Sequence, residues 1–281
     1  MSDAVPTWKL HELIKSVATK LGDAIEFSAT GGTTSTLIDT LNIPLGNKDL
    51  DRRQLLITSG TYEGEARIIT DTNLSTSTIT FSPVLAGAIV SGVTAFCVNA
   101  RGGGFALLEY KTHINMAIRD SYPIARTPVV SSNLTVDSSV PTLAVPSTMN
   151  EVWGVEDLDA DGVSWRAVQP AGLRGLDGWH VNQAEGVLTL DPDTAAYYHG
   201  TTVRLRGEGR HAELTTFTST TSLNAQGITS QAAYTLAMMG IDRDIHGSRA
   251  RQVLQFQQDA QAQLALIRTR HEPTSIAVRH D

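Results

Sequence analysis

The sequence predicts an α+β fold, with two antiparallel β regions (small barrel or sandwich modules) linked by a central helix and flanked by N-terminal and C-terminal helices. Three observations lead there. Apolar residues recur at helical spacing near the start, in the middle and near the end of the chain. Between these stretches lie short alternating segments broken by turn residues, the pattern of half-buried strands. A chain of 281 residues with 41% hydrophobic content is long enough for one large or two small domains with buried cores.

The first helix is expected over residues 7–21. Trp8, Leu10, Leu13, Ile14, Val17 and Leu21 recur at helical spacing; Pro6 suits a first turn and Gly22 a stop. The helical segment thus takes residues 1–22, and residues 23–103 read as a small β module. Its strands are LLIT, GTYEGEARIITD, STSTITFSP and GVTAFCVN, and apolar and polar positions alternate in EARIITD and STITF. ATGGTTS reads as a loop, and SPVLAGAIVSG as a bent connection or one more strand. After RGGGF the period changes. In ALLEYKTHINMAIRDSY, Leu107, Leu108, Ile114 and Ile118 fall on one side, with Tyr110 and Ala117 beside them. The central segment is therefore 104–125, helical to about residue 121, ahead of Pro123. Residues 126–228 return to strands with turns about every 8–12 residues, which suits an antiparallel sandwich. Residues 229–270 hold the C-terminal helices: 229–239, stopped by Gly240, then 248–269, capped by Ser248 and carrying Val253, Leu254, Phe256, Ala260, Leu264 and Ile267. Residues 271–281 form an extended tail.

Composition narrows the function. A net charge of −7 argues against gripping nucleic acid by its phosphates, though not against a wall that DNA slides past. No apolar run reaches the ~18 residues needed to span a bilayer. The N-terminal stretch MSDAVPTWKLHELIK lacks the basic and apolar regions of a signal peptide. The one cysteine, Cys97, excludes an internal disulfide and a Cys-based zinc cage, and its apolar setting VTAFCVN reads as burial.

The most site-like stretch is EDLDADGVSW. Asp157, Asp159, Asp161 and Gly162 spell D-x-D-x-D-G, the opening of an EF-hand calcium loop. Such a loop needs flanking helices and an acid at position 12. Here position 12 is Val168 and both flanks are strand-like. Asp and Gly also suit a hairpin turn, so a turn is expected, with Trp153 and Trp165 on its arms facing a core. ATGGTTS and RGGGF lack the lysine of a phosphate loop, and RGGGF reads as a flexible joint. The eight histidines form no HExxH pair, and no G-x-S-x-G occurs. No catalytic, cofactor-binding or metal-binding residue is assigned, no cofactor is expected, and no enzyme. Trp153, Trp165, Trp179, Tyr197 and Tyr198 are read as core aromatics; the alternative is a carbohydrate-binding β-sandwich in which they stack on sugars.

Two stretches carry a family resemblance. LLITSGTYEGEARIITDTNLSTSTITFSPVLAGAIVSGVTAFCV resembles the β module of tailed-phage structural proteins, on Gly60, Gly64, Arg67, Ile69, Thr78, Thr80 and Pro83. The run from YKTHINMAIRDSYPIAR through PSTMNEVWGVEDLDADGVSWRAV to GTTVRLRGEGRHAELTT and the closing helix is similar to the head-to-tail connector (neck or adaptor) proteins of tailed bacteriophages. The likeness covers most of residues 50–270 as patterning. It implies a non-enzymatic virion protein, assembled in the host cytoplasm. Such a protein forms a ring of about twelve copies between the portal protein and the tail or a second neck protein. DNA passes through the lumen without specific binding, and no membrane is involved. Another tail, baseplate or decoration component is the alternative within the virion.

Overall fold

The computed structural model describes residues 7–41, 50–98, 104–122, 124–168, 178–182, 184–240, 253 and 255–263. The fold is α+β and its sheets are antiparallel. The chain divides into two compact units, one made of residues 1–124 and 212–281 and the other of residues 125–211. The expected 126–228 segment therefore divides at residue 211, and residues 212–228 belong to the first unit.

The first unit opens with β1 (Trp8–Lys9) and α1 (Leu10–Lys20). The helix starts where it does because the Lys9 N–H donates to the Glu12 carboxylate at 2.8 Å, satisfying a group with no intrahelical partner. Its stripe of Leu10, Leu13, Ile14 and Val17 is buried, as its spacing predicts. Trp8, by contrast, lies in β1 and is 39% exposed.

Next come β2 (Ile25–Ser28), β3 (Gly31–Gly32), β4 (Thr36–Ile38), β5 (Gln54–Ile57), β6 (Ala66–Asn73), β7 (Thr78–Ser82) and β8 (Thr94–Val98). Their order in the sheet is β2-β8-β5-β6-β7-β4-β3. The two ends of that order, β2 and β3, are halves of one bent segment. At the bend, the Ala29 N–H bonds to the Val93 carbonyl and the Thr30 N–H to the Ile38 carbonyl. The sheet thus closes into a small barrel, one of the two architectures expected for this module. The stretch ATGGTTS, expected to be a loop, supplies the closing strand. Gly32 is needed there: a Cβ would lie 2.3 Å from the Thr36 carbonyl oxygen. SPVLAGAIVSG is the bent connection rather than a strand, and its Leu85 and Ile89 join Phe27, Leu55, Ile79 and Phe81 in the barrel core.

The helix α2 (Leu107–Asp120) begins with a second backfolded acid, the Ala106 N–H donating to Glu109 at 2.7 Å. Leu107, Tyr110, Ile114, Ala117 and Ile118 are buried. Leu108 is a correction: one residue on from Leu107 is about 100° around the helix, and it is 67% exposed. The Leu107 N–H donates to Gln54 Oε1 at 2.6 Å, fixing the helix to β5.

The second unit holds β9 (Thr127–Val130), β10 (Leu134–Thr135), β11 (Thr142–Ala144), β12 (Glu151–Leu158), β13 (Trp165–Ala167), β14 (Trp179–Asn182), β15 (Val187–Leu190), α3 (Pro192–Tyr197) and β16 (Thr202–Gly209). One sheet runs β10-β16-β12-β13, with β9 also on β16; the other runs β11-β15-β14. Val136, Leu143, Val155, Leu188, Val203 and Leu205 belong to their shared core. The short helix α3 is an addition to the expected elements, although Pro192 at its start is a legible signal.

The chain then adds β17 (Thr220–Thr221), which pairs with β1, and α4 (Ala225–Gly240). The expected 229–239 helix thus begins a turn earlier. It packs on both α1 and α2. Of the expected 248–269 helix, residues 253 and 255–263 are described and are helical; the rest, the 271–281 tail and residues 101–103 of RGGGF lie outside the described residues.

Candidate functional site

The acidic turn joins β12 to β13, with Leu158 opposite Trp165. It is a hairpin turn. The Asp159 N–H bonds to the Ser164 carbonyl, and Gly162 sits at φ +69°. The carboxylate of Asp161 faces its own loop: it accepts from the Val163 and Ser164 N–H groups at 2.8 Å and from Ser164 Oγ at 2.6 Å. The Ser164 bonds, then the Val163 bond, hold its pKa at about 2. Asp159 accepts from the Ala160 N–H and pairs with Arg166 at 3.1 Å. Asp157 is buried 3.7 Å from Arg166, with one carboxylate oxygen lacking a hydrogen bond. The three acids do not converge on a point, and among the described residues no group of three or more metal-ligating side chains does.

The tryptophans on this hairpin do not face a core, against expectation. Val152 pairs with Gly207 and Gly154 with Arg206, so Trp153 is an extra residue in a β-bulge. The bulge reverses the alternation: Val152 and Val155 both pack on the core, while Trp153 turns outward and is 48% exposed. Trp165 also points away from the core, with the Arg204 guanidinium 4.1 Å over its ring. Trp179 packs on the core and Tyr198 is buried in it, whereas Tyr197 is 74% exposed.

Around Trp153 and Trp165 the outward face of the five-stranded sheet is an ion-pair network. Glu156 Oε2 accepts from Arg204 Nε at 2.8 Å, and its Oε1 accepts from Arg206 at 2.9 Å. Burial opposes ionisation of Glu156, but the bonds from Arg206 and Arg204 outweigh it and lower the pKa. Arg126 bonds Glu151 at 2.6 Å and Glu208 at 2.7 Å. Alternation along β16 marks these charges as outward. It cannot pair them, because Glu156 and its two arginines are about 50 residues apart.

Two further clusters contain groups capable of chemistry. Ser138 Oγ lies 3.2 Å from His199 Nδ1, and Asp137 lies 4.0 Å from the same nitrogen. A hydrolytic triad needs serine and acid on opposite ring nitrogens. Here both meet Nδ1, which also accepts the Ser138 N–H at 3.1 Å; the group is a turn contact. In the first unit, Lys9 Nζ and His11 Nε2 share Glu63 Oε1 at 2.6 and 2.7 Å, chiefly the Lys9 bond lowering the Glu63 pKa. This clamp ties the start of α1 to the β5–β6 turn. Cys97 is fully buried, as expected, and burial pushes its thiol up to about 12.

A scan against protein-family models gives no match, and neither does a search of curated proteins.

Proposed function

We propose that the protein is a structural component of a tailed-phage neck, a ring-forming connector that joins portal to tail and leaves a passage for DNA. One observation carries this: residues 125–211 fold around their own core and lie in the chain between α2 and the β17–α4 segment, while both flanks belong to one barrel-and-helix unit. That is the helix–sandwich–helix order to which the sequence is similar. The barrel contains the strands of the first resembling stretch, β5 to β8.

Such a protein acts by shape and buried interface, without a reaction or cofactor. Its partners are further copies, the portal protein, and the tail or a second neck protein. It resides in the virion after assembly in the host cytoplasm. The net charge of −7 suits a passage that must not hold DNA tightly. Exposed Ile68 and Leu108 beside an open groove of about 330 Å³ in the first unit offer apolar surface of the kind assembly buries. No helix among the described residues is long and apolar enough to cross a membrane.

The test is to mix the purified chain with portal rings, image the mixture by electron microscopy and weigh it by light scattering. A closed ring of about twelve copies on the portal is expected. A chain that stays monomeric and leaves portal rings bare overturns the proposal.

A further inference from the structure

The outward face of the five-stranded sheet holds an aromatic side chain in a place that needs explaining. A half-exposed tryptophan gives up part of the burial that aromatics contribute to a core. It is held out by a bulge that interrupts the β12–β16 ladder. Beside it, Gly154 pairs with Arg206, and a Cβ at Gly154 would meet nothing within 4 Å. The strip at Gly154, next to Trp153 in the chain, is therefore bare backbone under open space.

The polar groups bordering this strip are fixed and cancel in charge. Glu156 holds Arg204 and Arg206; Arg126 holds Glu151 and Glu208. Three arginines meet three glutamates, so this group of side chains carries no net formal charge. Arg206 and Glu151 still face solvent, each keeping about half its side-chain exposure (52% in both).

We propose that this face binds a neutral saccharide chain, one sugar ring stacking on Trp153 and its hydroxyls bonding to the Glu156–Arg206 and Arg126–Glu151 pairs. A sugar ring has apolar C–H faces and hydroxyl edges that both donate and accept. The faces match the indole plane; the edges match carboxylate acceptors and guanidinium donors side by side. A phosphate chain would meet as many glutamates as arginines, and an apolar peptide would strip water from the paired charges. Side chains already cross-linked lose little freedom on binding. The inference rests on the sandwich face alone, so it stands or falls apart from the phage reading.

The experiment uses the full chain on an array of neutral saccharides, with maltohexaose and chitohexaose titrated in solution by calorimetry and tryptophan fluorescence, and oligogalacturonate as the charged control. Binding of at least one neutral chain is expected. Trp153→Ala should weaken it about tenfold or more; Trp153→Phe should retain part of it and Tyr197→Ala all of it, with circular dichroism unchanged. No neutral saccharide bound, equal affinity in Trp153→Ala, or binding of the charged control alone would each overturn the proposal. So would a Trp153→Ala variant that alters sedimentation without sugar, which would make the face a contact between copies.

Discussion

In the barrel, the bent segment Ile25–Gly32 pairs with β8 at one end and β4 at the other, so the described strands of that sheet leave no free flank. In the inserted sandwich, β13 and the β9–β10 side end one sheet, and β11 and β14 end the other. Each unit is also stabilised differently within itself. Phe27, Phe81, Leu55 and Ile79 fill the barrel, all at 3% exposure or less. The sandwich adds a network in which single side chains bridge several partners across the outward face of its five-stranded sheet, Glu156 with two arginines and Arg126 with two glutamates. The contrast teaches that a closed sheet can rest on apolar burial, while an open one must also manage an exposed face and its edges.

The largest effect should come from emptying the barrel. Phe81→Ala is expected to destabilise the first unit by about 3–5 kcal/mol. Cys97 provides the readout, because its buried thiol is labelled only once the barrel opens. With Trp8 of the first unit replaced (Trp8→Phe), the remaining Trp153, Trp165 and Trp179 report the sandwich by fluorescence. The thiol-labelling midpoint in denaturant should fall much further than the fluorescence midpoint; if the two fall together, the units unfold as one.

The converse change is Gly207→Ala. Its Cβ would stand 1.9 Å from the Glu151 carbonyl oxygen, so β12 must shift. A loss of about 3 kcal/mol is expected, carried by the fluorescence transition. An alanine tolerated there at no loss would show that the outer ladder yields more readily than the barrel.

Acid should separate the units more gently. Glu156 has its pKa lowered below 4.5 in the folded state. Its contribution is therefore present above that value and is lost as pH falls through the folded pKa. Glu63 has the same sign in the first unit. Glu156→Gln should reduce stability at neutral pH by about 1 kcal/mol and flatten the acid loss of the sandwich transition alone. Melting temperatures between pH 7 and pH 3, read through each probe, measure this.

The smallest effect expected is that of calcium. With Asp161 bonded to its own loop, millimolar calcium should leave the melting temperature of the sandwich unchanged. A rise that disappears in Asp161→Asn would instead put a cation in the turn.

Much of the chain is legible by inspection. Leu10, Leu13, Ile14 and Val17 mark α1 because helical spacing is a local property, and Ile79 and Phe81 alternate as β7 should. The acidic hairpin comes from Asp and Gly at a turn. Local pattern fails at Trp153, where one added residue reverses the face of every side chain before it. It fails at Leu108, where a broad reading of the apolar stripe reaches too far around the helix. Of the candidate saccharide face, Trp153 stands among the aromatics of the sugar-stacking alternative, but its arginines and glutamates could not be assembled from the sequence, because they come from β12, β16 and Arg126.

The α+β alternation and the nature of its pieces follow from local sequence: periodicity, turn residues and a buried cysteine need only near neighbours. That the first sheet closes, that the second unit is an insertion ending at residue 211, and that Trp153 stands outside emerge only when the chain is folded. Each of these depends on backbone hydrogen bonds between residues tens of positions apart, such as Ile25 with Cys97 and Gly154 with Arg206. Their register is set when the strands meet, and no short window of residues contains it.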